Sequence, residues 1–214
     1  MENVTKYYKT AGHRRYILRK QNIHFLAGQS YGLLGVNGAG KSTTMRLIAG
    51  AELPNRGHVR RNVRVSWPLG FGNGFNSLLS GKENIKFVAR AYGEDYHRVL
   101  RFVTEFAEIG SYINEPLRTY SSGMGARFAF GLSMAIEFDC YLVDEITAVG
   151  DANFQRRCRD AFQQRRAKSD VIMISHDMNT IKDYCDVAIV LIDGHMVQFD
   201  NVEDGIATYM RLNR

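Results

Sequence analysis

The sequence predicts an α/β fold built on a parallel sheet, and three observations carry that prediction. Residues 30–50, SYGLLGVNGAGKSTTMRLIAG, pass from an apolar strand (Tyr31, Leu33, Leu34, Val36) through a glycine-rich loop into a helix bearing Met45, Leu47, Ile48 and Ala49. Two more short apolar runs, 140–143 and 171–174, stop abruptly at Asp144-Glu145 and at Ser175-His176-Asp177. Runs of that length bounded by polar residues read as buried strands. From Ser80 onward a block of apolar residues recurs at helical spacing, which predicts a helical insertion in the α/β chain.

At 214 residues the chain is one large domain, or a core with one insertion. With 45% hydrophobic and 23% charged residues it can bury a core without disulfide support. The three cysteines, Cys140, Cys158 and Cys185, are odd in number and lack CxxC spacing. Reduced thiols are therefore expected, rather than a disulfide framework or a zinc site. Net charge +6 permits contact with an anionic surface or nucleic acid, and a phosphate-binding protein needs some of that excess for its own ligand. No signal peptide is visible at Met1, and no apolar run approaches a bilayer-spanning length. A membrane role would have to run through a partner.

Taken in order, residues 1–27 read as antiparallel strands: NVTKYY, RRYIL and NIHFL before Gly28. The run ELPNRG reads as a turn, and HVRRNVRVSW as a tight β-hairpin with an Arg-Asn corner. PLGFGNGF, with Gly70, Gly72 and Gly74, reads as a flexible loop between two lobes. Ser80 and Glu83 form a capping box ahead of Ile85, Val88, Ala89 and Tyr92. A second helix carries Val99, Phe102, Val103, Phe106 and Ala107. A third, from about Gly123 to Glu137, is apolar nearly all round and should be buried. A fourth bears Phe154, Cys158, Ala161 and Phe162 opposite an arginine-rich face. VAIVLIDGHMVQF then reads as a β-hairpin turning at Asp193-Gly194, with a short helix after it.

The chemistry concentrates in four places. Gly35 to Ser42 fit G-x-x-x-x-G-K-[ST] without a gap, and Thr43 follows. Glycines let main-chain N–H groups approach phosphate oxygens, and the helix that follows aims its positive end at them. Lys41 would reach the β- and γ-phosphates, and the Ser42 hydroxyl would ligate Mg²⁺. Asp144 would hold Mg²⁺ through water, and Glu145 would orient the attacking water or take its proton. His176, at the carboxyl edge of the sheet, is placed to sense the γ-phosphate; His13, His24, His58, His97 and His195 read as surface or strand residues. One of Tyr7, Tyr8 and Tyr16 would stack on adenine, a contact worth about 1 to 3 kcal/mol. Finally, Tyr120-Ser121-Ser122-Gly123-Met124 sets two hydroxyls and a glycine at a helix start, a second anion site. One chain has one phosphate loop, so the economical geometry is two copies head to tail, each lending this turn to the other's nucleotide.

With these motifs on the page, the chain resembles the ATP-binding subunits of ABC transporters, most closely those that export capsular polysaccharide in Gram-negative bacteria. The resemblance spans essentially the whole chain. Gly35, Asn37, Gly38, Ala39, Gly40, Lys41, Ser42 and Thr43 match the Walker A motif. Asp144-Glu145 match the Walker B end with its catalytic glutamate, and Ser175-His176 the switch-histidine loop. Tyr120 to Met124 stand where the signature stands, and Val149-Gly150-Asp151 match the D-loop, whose aspartate contacts the opposite subunit. NVTKYY resembles the strand carrying the adenine-stacking aromatic, which puts Tyr8 ahead of Tyr16. SWPLGFGNGF and SGKENIKFVARAYG look like the capsule-export members in particular. The Q-loop glutamine is missing, and Asn76 or Asn73 is the nearest polar substitute as a metal contact.

The resemblance implies a P-loop NTPase of ABC type: a RecA-like core (1–76 and 124–214), an N-terminal antiparallel β subdomain and an inserted helical subdomain at about 77–123, together a single domain. It further implies an ATPase using ATP and Mg²⁺, a homodimer with ATP sandwiched in it, and a separate integral-membrane permease. Envelope-spanning export proteins and a place on the cytoplasmic face of the inner membrane follow from the same likeness. Because the chain stops soon after the last hairpin, the extra carbohydrate-binding domain of some O-antigen export ATPases is not expected. Export of another glycopolymer, an O-antigen or teichoic acid, is the alternative. A soluble ATPase on nucleic acid usually carries two cassettes or a long coiled coil, and neither is present, so no nucleic-acid partner is expected. A P-loop kinase would leave the serine turn without a job.

Overall fold

The computed structural model describes residues 1–10, 12–69, 75–144 and 152–213. They divide into two compact units, 1–68 with 139–144 and 169–213, and 69–138 with 152–168, less the undescribed positions. The helical subdomain expected at about 77–123 falls inside the second unit, which also takes in two later helices.

The first unit holds two sheets. β1 (Glu2–Thr10), β2 (His13–Gln21) and β4 (Arg56–His58) form an antiparallel sheet in the order β2-β1-β4. β3 (Tyr31–Leu34), β5 (Cys140–Asp144), β6 (Asp170–Ile174), β7 (Val187–Ile192) and β8 (His195–Phe199) form the other, ordered β5-β6-β3-β7-β8. The first four of these run parallel, and β8 folds back antiparallel on β7. The expected Asp193-Gly194 turn is there, with φ positive at both residues (48° and 83°), as a two-residue hairpin of right-handed twist requires. Alternate strand residues reach one buried cluster: Tyr31 and Leu33, Leu142, Ile172 and Ile174, Ile189 and Leu191. They meet Met45, Leu47 and Ile48 from α1 (Lys41–Ala49), and Val4, Ile17 and Leu18 from the antiparallel sheet. The fold thus joins its two sheets through α1 and shared apolar faces. Two helices complete the unit, α6 (Met178–Tyr184) and α7 (Val202–Leu212).

Two expected strands are corrected. Residues 22–26 form no strand; Ile23 exchanges hydrogen bonds with Met1 (Ile23 N–H to the Met1 carbonyl, 3.2 Å, and the Met1 amino group to the Ile23 carbonyl, 2.8 Å), and Leu26 N–H donates to the Tyr31 hydroxyl (2.8 Å). Residues 58–67 do not pair with themselves. Residues 56–58 add to β1, whereas Val65 makes a parallel bridge to Cys140 at the start of β5. The Arg61 guanidinium, expected at a hairpin corner, donates instead to the Leu47 and Ile48 carbonyls at 2.6 and 2.5 Å. It satisfies acceptors that the last turn of α1 leaves open. β propensity was satisfied by two different neighbours, which local pattern does not distinguish.

In the second unit α2 (Gly81–Tyr92) starts at the expected capping box. The Ser80 hydroxyl accepts from Glu83 N–H at 3.2 Å, and Glu83 Oε2 accepts from Ser80 N–H at 2.8 Å. α3 (Tyr96–Ala107) is capped by Asp95, which accepts from Arg98 N–H at 2.6 Å. α4 (Ser122–Ala135) buries every residue from Phe128 to Ala135, as its all-round apolar sequence predicts. α5 (Ala152–Arg166) buries Phe154, Cys158 and Phe162. Phe106 of α3 is the hub, with ring centroids 5.9 Å from Phe130 and 5.5 Å from Phe154. Arg165 locks α5 to the end of α4 by donating to the Met134 carbonyl at 2.7 Å and pairing with Glu137 at 3.0 Å. No helix among the described residues is long and apolar enough to cross a membrane.

Candidate functional site

Three adjacent parallel strands deliver the site. β3 ends and gives way to the glycine loop and α1; β5 ends on Asp144, in register with Ile174; β6 ends two residues before His176. Because all three point the same way, their carboxyl ends share one edge, where α/β proteins bind ligands. There a cavity of about 430 Å³ is lined by Asn37, Gly38, Gly40, Lys41, Ser42, Thr43, Asp144 and His176. Gly35 and Ala39 belong to the same loop without lining the cavity.

The loop's shape depends on Gly40. Its φ is +109°, and a Cβ there would lie 2.3 Å from Ile17 Cγ2, so any other residue is strained and must displace the Ile17 side chain. No side chain caps α1, whose first-turn N–H groups have no acceptor within the helix. Lys41 Nζ donates to the loop's own Gly35 and Val36 carbonyls, at 2.6 and 3.2 Å, which holds the ammonium beside the loop. The Ser42 hydroxyl and the Asp144 carboxylate supply hard oxygen donors in one cavity. No cluster of three acidic, histidine or cysteine ligands occurs among the described residues. That donor set suits Mg²⁺, which takes one or two protein oxygens and keeps waters and phosphates for the rest.

Of the three tyrosines, Tyr8 lines the cavity and is 37% exposed. Its hydroxyl donates to Glu52 Oε1 at 2.5 Å, and Lys6 Nζ lies 5.1 Å from its ring centroid. Tyr7 and Tyr16 pair with each other across the β1–β2 ladder, centroids 5.4 Å apart, on the opposite face of the ribbon. Glu52 gathers Lys6 (2.8 Å) and Arg46 (3.1 Å) as well. Burial raises its pKa, but the hydrogen bonds from Lys6, Tyr8 and Arg46 outweigh that and hold it below the usual carboxylate value.

Sequence reasoning missed Arg15 and Ile17. Both line the cavity, and Arg15 donates to the Gly38 carbonyl at 3.0 Å. The signal was present: Arg15 sits directly opposite Tyr8, so strand alternation places it on the same face. It is a cation beside the phosphate loop.

The serine turn belongs to the second unit. Ser121 caps α4, its hydroxyl accepting from Met124 N–H at 3.2 Å, and Ser121 and Ser122 are both exposed. Nothing lies within 4 Å of a Cβ built on Gly123. Tyr120 anchors the turn, donating to the Tyr112 carbonyl at 2.8 Å; burial pushes its hydroxyl up to about 12, so it remains a donor. Asn76 lies in the same unit, where its Oδ1 accepts from Leu78 N–H at 3.0 Å. Glu145, Asp151 and Asn73 lie outside the described residues. All three cysteines are buried and none is in a disulfide, with burial pushing Cys140 and Cys158 up to about 12, so neither of these two is a nucleophile.

The chain is similar to known proteins along most of its length. The chain is 46% identical over 212 residues to the polysialic acid transport ATP-binding protein KpsT of Escherichia coli, covering 98% of this chain and 95% of that one. It is 43% identical to the capsule polysaccharide export ATP-binding protein CtrD of Neisseria meningitidis serogroup B, covering 99% and 98%. Similarity to the O-antigen export ATP-binding protein RfbB of Klebsiella pneumoniae is lower, 37% over 80% of this chain and 71% of that one. Among solved structures, the dimeric post-hydrolysis state of the ATP-binding cassette MJ0796 bound to ADP and Pi superposes with a TM-score of 0.73 over 92% of this chain and 96% of that one. At 21% identity that likeness speaks for the fold alone, an ABC-type P-loop α/β fold with a RecA-like core, an antiparallel β subdomain and a helical subdomain. The ABC transporter family profile matches residues 18–148, and this chain belongs to that family.

Proposed function

We propose that the chain is the ATP-hydrolysing subunit of an exporter that moves capsular polysaccharide across the inner membrane through a separate permease. The observation that carries this reading is identity of 43–48% over nearly the full length to three capsule or polysialic acid proteins, against 35–37% to the O-antigen and teichoic acid proteins. The chain acts as a single ABC ATPase domain, with core 1–76 and 124–214 and helical subdomain 77–123. It works as a homodimer on the cytoplasmic face, docked on the permease and, through it, on envelope-spanning export proteins.

Each residue then has a task. Gly35, Asn37, Gly38, Ala39, Gly40 and Thr43 form the cradle, and Lys41 neutralises the β- and γ-phosphates. Tyr8 holds adenine, its ring steadied by Glu52. Ser42 and, through water, Asp144 would hold Mg²⁺, which supplies charge neutralisation when bound. Glu145 takes the proton of the attacking water, and His176 hydrogen-bonds the γ-phosphate. Ser121, Ser122 and Gly123 of the second copy close over the same phosphate, and Asp151 bridges the copies.

The test uses Glu145→Gln in place of the wild-type chain. Purified, it should hold ATP as a dimer with turnover down by roughly 100-fold or more, the span expected for a general base. In cells the polysaccharide should be made and retained inside, while the chain co-purifies with its permease from solubilised membranes. Wild-type turnover removes Glu145 from its role; normal surface polysaccharide removes the export assignment.

A further inference from the structure

The β1–β2 ribbon has two faces, and the phosphate cavity occupies one. On the other lies a cleft of about 410 Å³ lined by Thr5, Tyr7, Arg14, Tyr16, Arg19, Lys20, Gln21, Arg56 and His195. Four of these are permanent cations and none is a carboxylate. Among the described residues, Arg14, Arg19, Lys20 and Arg56 pair with no carboxylate, whereas Lys6, on the other face of β1, and Arg46 of α1 both pair with Glu52. Like charges gathered without counter-charge repel one another, and a fold tolerates that where an anion relieves it.

Two devices hold the cations in place. The Arg14 guanidinium lies 4.9 Å from the Tyr7 ring centroid, and that of Arg19 lies 4.1 Å from the Tyr16 centroid. A guanidinium over an aromatic face is held there by the ring's quadrupole while its charge stays available to an anion. The ladder is also broken there: pairing shifts between Val4 and Lys6, against Gln21 and Leu18, which leaves Arg19 and Lys20 in a bulge opposite Thr5. Lys20 sits at φ +49°, a left-handed conformation that lysine rarely adopts, and its N–H donates to Thr5 Oγ1 at 3.1 Å. Bulges re-aim side chains, and backbone strain of this type gathers at ligand sites.

We propose that this cleft is a second anion site, taking a phosphate group on the forks of Arg14 and Arg19 with Lys20 and Arg56 around it. It is separate from the phosphate loop and independent of the transport reading. The phosphate reaches it either free, as a soluble phosphorylated compound, or on an anionic lipid headgroup.

The full chain, with ADP saturating the phosphate loop, is titrated with inorganic pyrophosphate while the arginine Nε–H resonances are followed. Arg14 and Arg19 signals should shift saturably, and Arg14→Ala/Arg19→Ala should bind at least about 10-fold more weakly. Arg19→Lys, which keeps charge but loses the fork, should fall between. Arg90→Ala/Arg101→Ala removes the same charge from exposed helix positions and should change nothing. Flotation with phosphatidylglycerol vesicles, against phosphatidylcholine, separates the sources: binding lost in the Arg14/Arg19 variant assigns the lipid, and pyrophosphate binding alone assigns the soluble ligand. Absence of both, or equal loss in the Arg90/Arg101 variant, overturns the proposal. Unfolding curves matching wild type confirm that the variants fold.

Discussion

Two helix starts in this molecule look alike in sequence and differ in what they leave available. α1 follows a glycine in left-handed conformation, has no side-chain cap, and opens on a cavity. α4 follows a serine that caps it, with the hydroxyl accepting from Met124 N–H. An uncapped start keeps its N–H groups for a ligand; a capped one already satisfies one of them and offers hydroxyls instead. The first can grip phosphate unaided. The second is stable by itself and adds donors only when an anion is brought to it, which is the division of labour expected of a nucleotide shared between two copies.

Lys41→Ala should produce the largest effect, because it removes the ammonium that α1 itself brings to the phosphate grip. Loss of a charge-stabilising donor predicts roughly 100-fold slower ATP turnover, read by phosphate release, with ATP affinity falling too. Unchanged turnover would mean that the uncapped amides suffice.

Gly40→Ala comes next and acts through the fold. A Cβ at 2.3 Å from Ile17, at a φ that alanine resists, should cost about 2 kcal/mol or more. That corresponds to a melting temperature lower by roughly 4–8 °C for a chain of this size. Ser121 sharpens the contrast with the smallest effect on folding: Ser121→Ala should cost about 1 kcal/mol as a lost cap. Ser121→Asp should restore that stability, since aspartate caps equally well, while its charge prevents ATP-dependent dimers in size-exclusion chromatography. Dimers that persist in Ser121→Asp would show that this turn does not meet phosphate.

The legible parts of the chain were those whose chemistry is local. Gly35 to Thr43 specify strand, loop and helix within a dozen residues, and Ser80 with Glu83 specify a helix start within four. Asp193-Gly194 likewise announces its hairpin through two adjacent positive φ angles. What escaped was decided by partners distant in sequence. Val65 pairs with Cys140, and Arg61 caps α1. Arg15 enters the site because β2 lies beside β1 in a register that only the folded ribbon fixes. Glu52 gave no sign of its link to Tyr8, which crosses 44 positions. The basic cleft was invisible for the same reason: its nine residues come from four strands.

The central place of β3 has a mechanical consequence. Flanked by β6 on one side and β7 on the other, it is stitched along both edges, whereas β8 and β5 stand at the two ends of the strand order, each with one neighbouring strand in the sheet. The segment that launches the glycine loop is therefore the sheet's keel. Fraying at either rim leaves it anchored, and any shove from a departing product spreads into two neighbours at once rather than peeling one strand away.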